Sequence, residues 1–242
     1  MVHPHAVPAR FPPEDAPVPD PRTPALNTTS GLRRHIPALT DMTLADIPPR
    51  IGLLPLGDTI LLPQGQLPLT IFEPRYLTLL EDSLAHHRLI GIIQPIGAAR
   101  YGDMTPPLEC VGTIGRVTSF MEQESGQFFI TLTGVCRFRL LQDQLTERGW
   151  REGRINATPF SHDLLECPSL HLDRQDLAIV LKDYGQRHTI SINWDNLKKL
   201  DDSTLLTMLP MLLPFPADVK QRMLECSGPT ERAHQLLEEL AR

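Results

Sequence analysis

Aromatic side chains are scarce in this chain, at 5% of its 242 residues, and neither sign of charge dominates its surface. The first scarcity weighs against a nucleic-acid groove built on stacked rings. The second leaves a formal net charge of −6, with no global cationic field to draw nucleic acid or an anionic membrane. Cysteine is sparse too. Cys110, Cys136, Cys167 and Cys226 lie far apart and form no Cys-x-x-Cys pair, which argues against a disulfide framework or a thiolate metal knuckle and for reduced thiols in a cytoplasmic protein. No apolar run approaches the roughly 20 residues that span a bilayer. The stretch after Arg33-Arg34 is too short and interrupted for a targeting core. The expectation is a soluble, cytoplasmic chain.

Proline, by contrast, is abundant and unevenly placed: eleven of the 24 prolines fall within residues 1–49. Residues 1–46 have almost no apolar periodicity, and their four basic and five acidic side chains are near balance. Such a segment cannot bury enough surface to offset its ordering entropy, so it reads as a disordered Pro-rich tail and not as a nucleic-acid-binding arm. Met42 is an alternative start; a peptide from residues 10–41 in the native protein would exclude it.

Residues 50–158 carry mainly β signals. Leu61-Leu62 and Leu67 to Phe72 read as two short strands around a Pro-Gln-Gly turn. Pro74 fits the first turn of a helix, where a missing donor costs nothing, and Leu77, Leu80 and Leu84 form an amphipathic stripe behind it. Leu89 to Ile93 is a buried strand. Val111 to Phe120 and Phe128 to Thr133 form a hairpin about Gln123-Glu124-Ser125-Gly126, with Gly112 and Gly115 marking a bulge or tight bend. Alternation resumes after Gly134, with Cys136, Phe138 and Leu140 inward and Arg137 and Arg139 outward. Trp150 to Ala157 gives one more strand. Short strands at this spacing around one helix predict a small closed or half-closed barrel.

The period changes after residue 172. Asp173 caps a helix with Leu177, Val180, Leu181 and Tyr184 on one face. Residues 203–213 are apolar all round and predicted buried, with Pro210 bending or ending that helix. Residues 217–226 form another, and the last opens at Pro229 and aligns Ala233, Leu236, Leu237 and Leu240. The fold class is therefore α+β, a β domain over residues 47–165 and a helical part of about four helices over 166–242.

Four anchors carry a resemblance across residues 51–240: Leu54-Pro55-Leu56, the run from Pro68 to Tyr76 (PLTIFEPRY), Val111-Gly112-Thr113-Ile114, and Gly134 to Arg139 (GVCRFR). In their order and spacing they resemble the amino-terminal, substrate-recognition domain of the ATP-dependent Lon proteases. Phe72, Glu73, Pro74, Gly112 and Gly134 are its signature positions here. The resemblance implies a PUA-like β pseudo-barrel followed by helices, and polypeptide recognition as the activity. Cys136 departs from it, standing where the family often has a basic or polar residue. Lon's motor and protease are not matched: the chain has no Gly-x-x-x-x-Gly-Lys-[Ser/Thr] loop to cradle phosphates and no segment for a Ser-Lys protease. A stand-alone recognition domain without turnover is the expectation.

Glu73 reads as a carboxylate at a helix amino terminus, worth ~0.3–1 kcal/mol through the helix dipole, before it reads as an ion-pair partner of Arg75 on a binding surface. Phe120 and Met121 sit where a strand enters a polar turn; exposed, they suit adaptable capture of apolar segments, although packing onto Phe128 or Phe129 is the simpler account. With Arg75 and Tyr76 they form the candidate binding set. Arg137 and Arg139 read as a solvated face. His86-His87 point in different directions on a helix, and His162, Glu166, Cys167 and His171 match no standard site, so no metal or other cofactor is expected. The cysteines read as small core residues.

Two functional classes follow. The first is a non-catalytic module that binds unfolded or apolar polypeptide segments, as an adaptor in protein quality control or by retaining clients for a separate protease, with no membrane partner. The alternative is an RNA-binding protein using the barrel, against which stand 19 basic and 24 acidic side chains in residues 47–242.

Overall fold

The computed structural model describes residues 37–97, 105–165 and 172–242. Six strands make one mixed sheet: β1 (Arg50–Pro55), β2 (Gln66–Ile71), β3 (Leu89–Ile93), β4 (Val111–Glu122), β5 (Phe128–Leu145) and β6 (Arg151–Asn156). Their order is β2-β5-β4-β3-β1-β6, and β6 pairs a second time with β5. That return closes the sheet into a ring, with β2 appended to the outside of β5. Only β1 and β3 run parallel. The crossover between them contains β2 and α1 (Pro74–Ala85), since parallel neighbours need a long connection.

Pro74 opens α1 as expected. The helix rests Leu79, Leu80 and Ser83 on the barrel, with Leu77 and Leu84 flanking them half-buried. The two strands expected between Leu61 and Phe72 reduce to one. Leu61 and Leu62 are fully buried, but Gly65 N–H returns to the Leu62 carbonyl in a tight turn and no ladder forms there. Instead Arg50–Pro55, not foreseen as a strand, is β1. Its central residues are buried on both faces, so it shows no alternation to read.

The helical part comprises α2 (Arg174–Arg187), α3 (Trp194–Leu197), α4 (Asp202–Leu212), α5 (Ala217–Glu225) and α6 (Pro229–Ala241). Asp173 caps α2 by accepting from the Gln175 and Asp176 backbone N–H groups. The fifth helix is α3, a single turn capped by Asn193. Pro210 does not end α4, which runs on to Leu212. Nor is that helix buried all round, because Leu212 is 70% exposed. Leu177, Leu181, Leu205, Leu209, Met223, Leu236 and Leu240 share one core. A second cluster (Ile60, Leu62, Val111 and Leu224) joins the barrel to α5.

Of the stretch read as a tail, residues 37–46 are described. They form two short 3-10 turns, and Met42 packs into the barrel core. Among the described residues no helix is long and apolar enough to cross a membrane.

Candidate functional site

Two regions of the β4–β5 hairpin hold the residues singled out above, and they have opposite characters. At its base the hairpin is locked. Gly134 donates to the Gly65 carbonyl and accepts from Gln64 N–H, both at 2.8 Å, and any Cβ there would lie 2.1 Å from the Leu62 carbonyl oxygen. Gly112 is equally constrained: a Cβ would fall 2.5 Å from the Ile92 carbonyl oxygen and 2.7 Å from the Phe138 ring. These two signature glycines permit close backbone approach, with no room for a side chain.

Arg137 overturns the expectation of a solvated face. It is 1% exposed, because the segment Thr158–Leu164 and the end of α5 cover the outside of β5 at this point. Its Nε and Nη2 donate to the two oxygens of Asp163 at 2.8 Å, and its Nη1 donates to the carbonyls of Leu224 (3.0 Å) and Cys226 (2.5 Å). Nη2 also lies 3.0 Å from His162 Nε2, and the guanidinium sits 4.7 Å from the Phe160 ring centre. A buried arginine needs such full partnering to offset its lost hydration. The group thus ties the barrel to the carboxyl end of α5, while Arg139, two residues on, remains exposed as expected.

Cys136 beside it is sealed. Burial foremost, then the Asp163 charge, pushes its thiol up to about 12, and Sγ lies 3.2 Å from the carbonyl oxygens of Arg137 and Phe160. A thiol held protonated this way is a poor nucleophile. Burial also pushes the Cys226 thiol up. Cys110, expected in the core, is exposed. His162 is the one described member of the linker cluster; Glu166, Cys167 and His171 lie outside the described residues. His86 Nδ1 sits 2.7 Å from the Asp82 carbonyl oxygen, and His87 Nδ1 accepts from Leu89 N–H. Among the described residues no group of three or more His, Cys, Asp or Glu side chains is arranged to hold a metal ion.

At its tip the hairpin is open. Past Val117 every residue of β4 is exposed, and the Gln123–Gln127 turn closes the ribbon with Gly126 at φ +75°. Phe120 is 51% exposed, Met121 58% and Phe129 42%. Met121 pairs directly with Phe129, and Phe120 with Ile130, so the two expected binding residues project from opposite faces of the ribbon. Packing across the hairpin does not hide them: Ile130 opposite Phe120 stays in the core, but β4 past Val117 is left uncovered. Phe129 was not expected to be part of this surface; its position opposite Met121 was the available signal.

Phe72, the residue after β2 and next to the Ile71–Phe128 pair, is 61% exposed. Arg75 and Tyr76 follow it in the chain but are engaged internally. Glu73 makes no side-chain cap; its Oε2 accepts from Arg75 Nε (2.9 Å) and Nη2 (2.8 Å). Glu73 thus stands at the amino terminus of α1 as expected, with its carboxylate bonded to the arginine fork, which offers two aligned donors, and not to backbone N–H groups. The Arg75 guanidinium also stacks 4.5 Å from the Tyr76 ring centre. Tyr76 is half-buried against the barrel core, which pushes its phenol up.

A family model described as the ATP-dependent protease La (LON) substrate-binding domain matches residues 50–242. The chain is similar to a Lon protease of Endomicrobium trichonymphae, 24% identical over 198 residues, which are 79% of this chain and 24% of that protein. It also resembles a Lon protease of Anaeromyxobacter dehalogenans, 27% identical over 135 residues, 55% of this chain and 16% of the relative. The chain thus spans a small fraction of these relatives' length. Two solved structures share its fold. One is a Lon N-terminal domain protein from Xanthomonas campestris (TM-score 0.54, 22% identity, 78% of this chain and 97% of the other). The other is the N-terminal domain of a Mycobacterium avium complex Lon protease (TM-score 0.50, 16% identity, 79% and 97%).

Proposed function

The chain belongs to the LON substrate-binding domain family, and from that premise we propose that it binds unfolded or apolar polypeptide segments without processing them. The observation that carries this reading is the projecting β4–β5 ribbon, where Phe120, Met121 and Phe129 meet solvent. Exposed aromatic and methionine side chains give large contact area with adaptable shape, which suits clients that share hydrophobicity and not sequence. Phe72 widens the surface, while Arg75 and Tyr76 brace its edge through the Glu73 ion pair.

In this reading the β part, residues 47–165, meets the client and the helical part, 166–242, stiffens it through Arg137. The protein acts in the cytoplasm as an adaptor that holds clients for a separate protease. The family match covers a recognition domain and neither an ATPase nor a protease, in keeping with a non-catalytic role. RNA binding by the barrel is the less supported reading. The exposed aromatics among the described residues are only three, Phe72, Phe120 and Phe129, few for a groove in which bases stack.

The test is titration of a labelled, reduced and alkylated model polypeptide into the protein, followed by fluorescence anisotropy. Saturable binding in the micromolar range is expected, weakened about tenfold by joint Phe120→Ser and Met121→Ser substitution, as for two interface anchors of ordinary strength. No association at tens of micromolar would remove the proposal.

A further inference from the structure

A second surface lies on the outer face of β1, β5 and β6, and its chemistry is ionic. Arg50 and Arg154 are directly opposed across β1 and β6, and Arg139 pairs with Asn156, two residues along β6 on the same face. All three arginines are exposed. Like charges placed opposite each other on neighbouring strands destabilise a sheet, so the arrangement is costly unless something answers it. Within the chain the answer is incomplete. Glu152 accepts from Arg50 (3.3 Å) and Gln144 (3.2 Å), and the Asp143 carboxylate is taken by Arg151. No acidic side chain among the described residues pairs with Arg139 or Arg154. The face therefore carries a local positive excess on a protein whose net charge is −6.

The face is also concave. Arg50, Gln142, Asp143, Gln144, Glu152 and Arg154 line a hollow of about 150 Å³, large enough for a carboxylate side chain or two. Its lining offers the Arg50 and Arg154 guanidiniums and the Gln142 and Gln144 amides, groups that bind carboxylates in two-pronged fashion, beside two carboxylates, Glu152 and Asp143, that are already engaged by Arg50 and Arg151. It has no aromatic ring on which a base could stack, which separates it from single-strand nucleic-acid grooves.

We infer that this face is a docking surface for an acidic polypeptide segment, held by Arg154 in the hollow and by Arg139 beside it, with Arg50 also lining the hollow. The inference does not depend on apolar client capture at the hairpin tip, which is built from the opposite end of β5. Charge complementarity of this exposed kind speeds association and selects partners more than it deepens affinity. Acidic clients, or an acidic stretch of a partner protein, would be gathered here.

The experiment is anisotropy of a labelled oligo-glutamate peptide on the full chain at low and moderate salt, beside an oligo-lysine peptide and a single-stranded RNA oligonucleotide of matched length. The expected result is saturable binding of the glutamate peptide alone, weakened by salt and reduced about tenfold by joint Arg139→Glu and Arg154→Glu substitution. Joint Phe120→Ser and Met121→Ser substitution leaves it unchanged, so the two surfaces are read separately. Both arginines are exposed, and circular dichroism is expected to show the reversed variant folded. Absent binding, binding indifferent to the charge reversal, or preference for the RNA would each overturn the inference.

Discussion

The two ends of the β4–β5 hairpin use the same strands for opposite purposes. At the base, Cys136, Arg137 and Phe138 are consecutive and all buried, although strand geometry points alternate side chains to opposite faces. At the tip, Phe120 and Met121 are consecutive and both exposed. The base is covered on its outer side by the Thr158–Leu164 segment and α5, so even its outward residue is enclosed. At the tip nothing among the described residues covers β4, so even Phe120, paired with the buried Ile130, is wetted. What a strand residue does here depends less on its own polarity than on what has been laid over it.

The comparison can be broken most severely at Arg137. Replacement by Met strands the Asp163 carboxylate, and the Leu224 and Cys226 carbonyls lose a donor; unfolding in urea is expected to show a loss of about 3–5 kcal/mol. Gly134→Ala acts on the same base by crowding, since its methyl would overlap the Leu62 carbonyl. A loss of about 1–3 kcal/mol in the same assay is expected, and an unchanged midpoint would show that the 62–65 turn yields.

At the tip, joint Phe120→Ser and Met121→Ser substitution should shift stability by no more than about 0.5 kcal/mol per site while weakening polypeptide binding. A large stability loss would mean that the ribbon is packed against something. The mildest probe is thiol chemistry. In the native protein Cys110 should react with iodoacetamide, while Cys136 and Cys226 react only after unfolding, as read by peptide mass mapping. The Cys136 thiol adds a pH signature. Its folded pKa is raised to about 12 from an ordinary 9.0, so above pH 9 the unfolded chain gives up a proton that the folded chain keeps. Stability from this group is intact below pH 9 and declines as pH climbs towards 12.

Local signals in the sequence were clear wherever one residue's chemistry constrains its own backbone. Pro74 and Pro229 mark helix starts, Asp173 a cap, and Gly126 the hairpin turn. Periodicity found α2 and α6 because each has one wet face and one dry one. It failed for β1, which is dry on both faces, and for Leu61-Leu62, whose apolar character reflects burial without pairing. Glu73 precedes a helix, which suggests a cap, yet its carboxylate bonds the arginine two residues on and no backbone N–H. Phe129 belonged to the candidate site through its register opposite Met121, which a hairpin reading can supply.

By itself the sequence determined the class of fold, the order of most elements and the family, because turn chemistry, capping and apolar period act over a few residues and the four anchors keep their order. Only the tertiary structure decided that Arg137 is a buried clasp while Arg139 and Arg154 stand open, and that the hairpin tip is bare. The partners of Arg137 lie 26, 87 and 89 residues away, and no local pattern records a contact made at that distance.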